Sequence, residues 1–353
     1  MLTLAALAAA LLAASTYADV PRYSPSEIAV DNSGNVYVIM SGGSAAGEGL
    51  FIYAPDGTTL KSYLKPGCSD VAIDSQGIVY VTDLPHKQVE RLEKNGSFSV
   101  VWQETDPDHF INYFAIDRDD DILLSDFNYS NAEVRVTDGW ILKISPEGRV
   151  TNVIHGDSAA PLDKIFRLSA SDNGTIYLTN FDHYFSAIYP DGSRSMINLT
   201  GPGNGTFNHV ADIEAGQDGY LYVGETFDGR VRKLTPNGTL VATWDGCGPD
   251  RFITPSSIVA GRDGRVYVSD VQDQRIVWFD GTRYRYGDNV TENMAGKGVL
   301  WDDVIAGNNT PTSQNTNSIS GGTKGTPGFA FAGALVSLCL TVGLLCRGRK
   351  SKD

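Results

Sequence analysis

One short phrase recurs six times in this chain: "SGNVYVIM" from Ser33, "QGIVYVTD" from Gln76, "DDDILLSD" from Asp119, "NGTIYLTN" from Asn173, "DGYLYVGE" from Asp218 and "DGRVYVSD" from Asp263. Take Tyr37, Tyr80, Leu123, Tyr177, Tyr222 and Tyr267 as markers; they lie 43, 43, 54, 45 and 45 residues apart. A period near 45 filled by short strands is the signature of a propeller. Successive side chains of a strand point to opposite faces, and here both faces are apolar: Val266 and Val268 on one, Tyr267 on the other. Such a strand must be covered twice. A neighbouring copy of the same sheet supplies the cover, and closing the stack into a ring removes its open ends. Each copy also carries a first strand ("IAVD" at Ile28, "VAID" at Val71), a third ("LFIYAPDG" at Leu50, "RVRKLTPNG" at Arg230) and a fourth behind an Asp-Gly or Asn-Gly turn. The pattern predicts an all-β, six-bladed β-propeller with four-stranded blades over residues 24–286.

The skeleton P-x-x-Ile-Ala-Val-Asp…Gly-x-Val-Tyr-Val-x-Asp, seen at Pro25–Asp31 and again in "DGRVYVSD", resembles the NHL repeat. Two copies depart from it. Blade three has Leu123 for the tyrosine and a long loop after Asp126, and blade one has Ile39 and Met40 where others have an acidic residue. "RYRYG" from Arg283, or residues near the N-terminus, would complete the last blade, and segment 287–306 would pack outside the ring. Asn95, Asn173 and Asn237 each precede a glycine, the pair that a two-residue turn with positive φ at both positions requires.

The ends are of a different kind. Residues 1–18 read as a secretory signal cut after Ala18, although no basic residue precedes Arg22. Residues 307–326 are Asn-, Thr-, Ser- and Gly-rich, as a flexible stalk is. Pro327 to Cys346 is nearly all apolar and "RGRKSKD" follows, which suits a membrane span with its basic end inside. "TPGFAFAGALVSLCLTVGLLCRGRK" resembles the PGF-CTERM sorting signal of archaeal surface proteins, carried by Pro327, Gly328 and Phe329. That resemblance implies processing of residues 327–353 by an archaeosortase and display on the outer face of the cell membrane; a plain transmembrane anchor is the alternative. An exterior location makes two features relevant. Cys68 and Cys247 are a candidate disulfide. Sequons at Asn95, Asn128, Asn173, Asn198, Asn204, Asn237, Asn289 and Asn308 are glycosylation candidates. The formal charge of −14 argues against a nucleic-acid partner.

Strand order places the loops entering the first strands and those joining second to third strands on one face, the top. All five histidines map there, including His109 and His209. Acidic residues end the second strands at Asp83, Asp126, Glu225 and Asp270, and are read as ties for the loop backbone. The residues just before each first strand do not repeat: Glu27, Asp70, Tyr113, Arg167, Asp212 and Ser257. If this station faces the axis, Glu27, Asp70 and Asp212 are a candidate set for Ca²⁺ or another divalent cation, or else a wet acidic mouth neutralised by Arg167. Arg167→Ala is then expected to weaken anionic-ligand binding with little change in melting temperature. Glu214 is a further oddity, standing where Ala29, Ala72 and Ala115 stand in other blades. Similar propellers include gluconolactonase-like and streptogramin-lyase-like enzymes, which imply a central metal, and peptidyl-amidating lyases, which imply a histidine cluster. Neither signature is complete here. The sequence therefore supports a surface-anchored module binding a small molecule, glycan or protein through its top face, with a metal-dependent hydrolase or lyase as the alternative.

Overall fold

The computed structural model describes residues 24–42, 47–130, 135–156, 162, 165, 167–179, 185–199, 207, 209–244 and 252–280. All of these belong to the first of the chain's two units, residues 1–302; the second, 303–353, lies wholly outside the described residues. So do the N-terminal signal, "RYRYG", segment 287–306, the stalk, the apolar tail and Cys247.

Six antiparallel sheets are formed, each from strands consecutive in the chain. Blade one holds β1 (Ser24–Val30), β2 (Val36–Ser41), β3 (Gly49–Tyr53) and β4 (Thr59–Leu64). Blade two holds β5 (Cys68–Ile73), β6 (Val79–Asp83), β7 (Gln88–Leu92) and β8 (Phe98–Gln103). Blade three holds β9 (His109–Ile116), β10 (Ile122–Ser130), β11 (Arg135–Ile144) and β12 (Val150–His155). Blade four holds β13 (Arg167–Ala170), β14 (Ile176–Thr179), β15 (Phe185–Ile188) and β16 (Arg194–Ile197). Blade five holds β17 (Val210–Ala215), β18 (Leu221–Glu225), β19 (Arg230–Leu234) and β20 (Leu240–Trp244). Blade six shows β21 (Pro255–Ala260), β22 (Arg265–Asp270) and β23 (Arg275–Asp280) among the described residues. First strands touch first strands around the whole circle, β21 meeting β1.

The core is divided as the repeat demands. Six apolar clusters lie between adjacent sheets. Tyr80 and Val89 of blade two pack with Phe114, Ile122 and Leu124 of blade three, and Tyr222 and Trp244 of blade five with Ile258, Val266 and Val268 of blade six. The layer that closes the ring sets Tyr267 and Ile276 against Ile28, Val36, Val38 and Tyr53. In four of the five marker tyrosines the ring is packed and the hydroxyl reaches an aspartate of the first turn: Tyr222 to Asp218 at 2.8 Å, Tyr267 to Asp263 at 3.0 Å, Tyr37 to Asp31 at 3.3 Å and Tyr80 to Asp74 at 3.4 Å. Leu123 cannot make that bond. In its blade Lys143 takes the aspartate instead, with Nζ 2.7 Å from Asp117.

Two expectations are corrected. The long loop after Asp126 is largely a lengthened hairpin, in which β10 and β11 pair from Ile122↔Ile144 to Ser130↔Arg135. The Asn-Gly turns are three-residue loops rather than two-residue ones. Gly96 donates to the Glu93 carbonyl and Glu93 to the Ser97 carbonyl, both at 2.8 Å. Gly96, Gly174 and Gly238 have φ of 86°, 87° and 85°, while their asparagines keep negative φ. This is a type I turn closed by a left-handed glycine. The asparagine contributes its side chain: Asn95 and Asn173 accept the backbone N–H of Ser97 and Thr175 at 3.0 and 2.9 Å.

Candidate functional site

The six non-repeating residues do meet at one level of the ring. Glu27, Asp70, Arg167, Asp212 and Ser257 are buried, and Tyr113 is half-buried. Most of them clasp the next blade. Asp70 accepts the backbone N–H of Phe114 at 3.0 Å and that of its own neighbour Val71 at 2.8 Å. Asp212 repeats the arrangement with Ile258 at 2.6 Å and Ile213 at 2.8 Å. Ser257 accepts from Ile28 at 3.3 Å across the closure of the ring. Arg167 donates to the Ala211 carbonyl at 3.3 Å and lies over the Tyr113 ring, 3.8 Å from its centroid. From blade four Arg167 also reaches across the axis to pair with Glu27 of blade one.

This geometry sets the electrostatics. One guanidinium cannot neutralise three buried carboxylates. Burial drives Glu27 up to about 8 against the pull of Arg167, with Asp70 adding to the rise. Burial raises Asp70 and Asp212 to about 6, restrained by Arg167 and by the backbone N–H groups they accept. Burial opposes the charge on Arg167, but Glu27, Tyr113 and the aspartates outweigh it and hold its pKa above the ordinary value. The set does not fit Ca²⁺. Both oxygens of each aspartate already accept backbone N–H groups, Glu27 is paired, and a guanidinium supplies the positive charge an ion would bring.

Below this level lies a cavity of about 340 Å³, bounded by the first strands from the station residues to the turns at the opposite face, including Asn32, Ser75, Arg118 and Arg262. The alternation of each first strand presents a second layer to it: Ala29, Ala72, Ala115, Ser169, Glu214 and Val259. Glu214 is the carboxyl group in that layer. Ser169 Oγ donates to its Oε2 at 2.9 Å, and burial pushes its pKa up to about 8.

The histidines go elsewhere. Neither His109 nor His209 is among the residues bounding the cavity. His209, at φ 59°, sits on the Phe227 ring with centroids 3.9 Å apart. His86 caps the end of its own strand, Nδ1 2.9 Å from Asp83. The acidic residues after the second strands act as ties in two blades: Asp270 accepts the N–H of Thr254 at 2.8 Å, and Asp83 that of His86 at 3.3 Å. Glu225 instead holds Arg230 and Arg232 at 2.6 and 2.7 Å. Asp126 does neither. It lies with Glu104 and His109, a grouping that sequence reading missed. The available signals were the four-residue gap between Glu104 and His109, and Trp140 standing where other blades carry Arg230 and Arg275. Cys68 is a buried free thiol whose pKa burial pushes up to about 12.

No family model and no curated protein matches the sequence. Solved structures do match the fold. Virginiamycin B lyase from Staphylococcus aureus superposes with a TM-score of 0.51 at 16% identity, covering 72% of this chain and 80% of that one. A gluconolactonase from Xanthomonas campestris gives 0.54 at 14%, covering 72% and 85%. Regucalcin, a calcium-binding protein from Agrobacterium tumefaciens, gives 0.52 at 12%, covering 70% and 82%. At these identities the likeness is one of fold.

Proposed function

We propose that the protein is a hydrolase or lyase that breaks an ester-type C–O bond of a small molecule within the axial cavity. The observation that carries this reading is Glu214: a carboxyl group facing a cavity of ligand size, in a layer of small side chains, with its pKa raised to about 8. A carboxyl that keeps its proton at neutral pH can give it to a leaving oxygen. Ser169 fixes the carboxyl's orientation. The enzymatic character of two of the fold neighbours, a lyase and a gluconolactonase, supports the reading by analogy. A secretion signal at residues 1–18 and the apolar tail at 327–353 would place this activity at the outer surface of the cell.

The test is a panel of small lactones and esters incubated with the purified protein. Glu214→Gln is expected to lower kcat by about a hundredfold or more, with KM little changed. Ser169→Ala removes a bond that favours the ionised carboxyl, so the pH above which activity falls should move upward. A folded protein that turns over none of the panel, or a Glu214→Gln variant as active as the parent, leaves a binding module without chemistry.

A further inference from the structure

We propose that Glu104, His109 and Asp126 form a divalent-metal site at the joint between blades two and three. Glu104 follows β8, His109 begins β9, and Asp126 lies in β10, so two blades contribute. One ligand atom from each lies within 4.8 Å of the others. His109 Nδ1 is 3.5 Å from Asp126 Oδ2 and 3.8 Å from Glu104 Oε2. These distances are too long for hydrogen bonds. They are close to the separation of donors around one small ion, since metal–ligand bonds of about 2.1 Å in tetrahedral array set neighbouring donors roughly 3.4 Å apart.

Charge makes the stronger argument. In the other blades the acidic residue at this position has a cation: Asp83 has Lys65 at 2.8 Å, Glu225 has Arg230 and Arg232, and Asp270 has Arg275 at 3.2 Å. Two of these cations come from hairpin register, Glu225 facing Arg230 and Asp270 facing Arg275. Asp83 faces Gln88 and takes Lys65 from the segment before its own blade, whereas Asp126 faces Trp140 and has neither source. Trp140 Nε1 donates to Oδ2 at 3.1 Å and brings no charge. Asp126 is 2% exposed, and its Oδ1 is buried without a hydrogen-bond partner. Glu104 holds its own loop through Oε1, which accepts from Thr105 and Asp106 at 2.7 Å, and turns Oε2 toward the histidine. Among the described residues no lysine or arginine pairs with either carboxylate. A buried carboxylate beside a second one, with an open oxygen and an imidazole, is completed by a cation. One imidazole and two carboxylates suit ions of the Zn²⁺ or Mn²⁺ class. His109, whose side chain is 22% exposed, leaves the site open on one side, where a further ligand could bind.

The site is independent of the axial cavity, and its test separates the two. Purified protein freed of metal is titrated with Co²⁺ and read by visible absorption, then with Zn²⁺ by calorimetry. One equivalent per chain is expected. His109→Ala and Asp126→Asn should each weaken it by at least about a hundredfold, whereas Glu214→Gln should bind as the parent does. Binding unchanged in His109→Ala, no stoichiometric binding in the parent, or loss in Glu214→Gln would each overturn the proposal. Should Asp126→Asn fail to fold, the less buried His109 carries the test.

Discussion

Arg167 shows how a residue's role depends on neighbours far along the chain. Among the six non-repeating residues, it alone is basic, which suggests an anion seat. In the folded protein its charge is already engaged by Glu27, which is 140 residues away in sequence, and its ring-like face by Tyr113. Variation at this station reflects six different ways of joining one blade to the next, and a single sequence does not reveal which residue faces which across a closed ring. The expectation that Arg167 can be removed without cost to stability is therefore replaced. Arg167→Met leaves Glu27, Asp70 and Asp212 together with no counter-charge. A loss of about 3–5 kcal/mol is expected at pH 8. It should shrink toward pH 5, where the carboxyls of the variant take up protons. Urea unfolding at the two pH values checks this; equal losses at both would mean that packing on Tyr113, not charge, is what Arg167 contributes.

At the scale of elements, the strands were legible because their cause is local. Alternating apolar residues require cover on two faces wherever they occur, so period and composition suffice. The turns were legible in position but not in type, since Asn-Gly serves both two-residue and three-residue loops and only the backbone decides. The surroundings of a turn were not legible at all. Gly148 and Gly192 occupy the same turn in adjacent blades, with φ of 84° and 82°. A Cβ on Gly192 would meet nothing within 4 Å, but one on Gly148 would stand 2.0 Å from the Val101 carbonyl oxygen of the preceding blade. Gly192→Ala should cost about 1 kcal/mol, the strain of the left-handed backbone alone. Gly148→Ala should cost at least about 2 kcal/mol more, because backbone must move against backbone. Thermal melts of the two variants decide; equal losses would mean that the blade edges slide freely past each other.

The whole molecule binds its acidic groups into a pH dependence that the net charge alone does not foretell. Glu27 and Glu214 have folded pKa values near 8, and Asp70 and Asp212 near 6, all raised chiefly by burial. The sign follows from proton counting. Between the ordinary glutamate value and pH 8, the unfolded chain has released protons that the folded ring retains, so raising the pH favours unfolding. Each such glutamate contributes a slope of up to about 1.4 kcal/mol per pH unit across that window. The aspartates act in the same direction but only up to about pH 6. Carboxylates held below their usual range, such as Asp83 beside Lys65 and His86, act oppositely, but their window lies below pH 4. The melting temperature should therefore fall as the pH rises from 5 to 8. Glu214→Gln replaces a titrating group by one that is neutral in both states, so its melting temperature should fall less steeply over that range than the parent's. The comparison also isolates the residue on which the proposed chemistry depends. If parent and variant share the same slope, Glu214 titrates as an exposed carboxylate does, and it holds no proton at neutral pH to give to a leaving group.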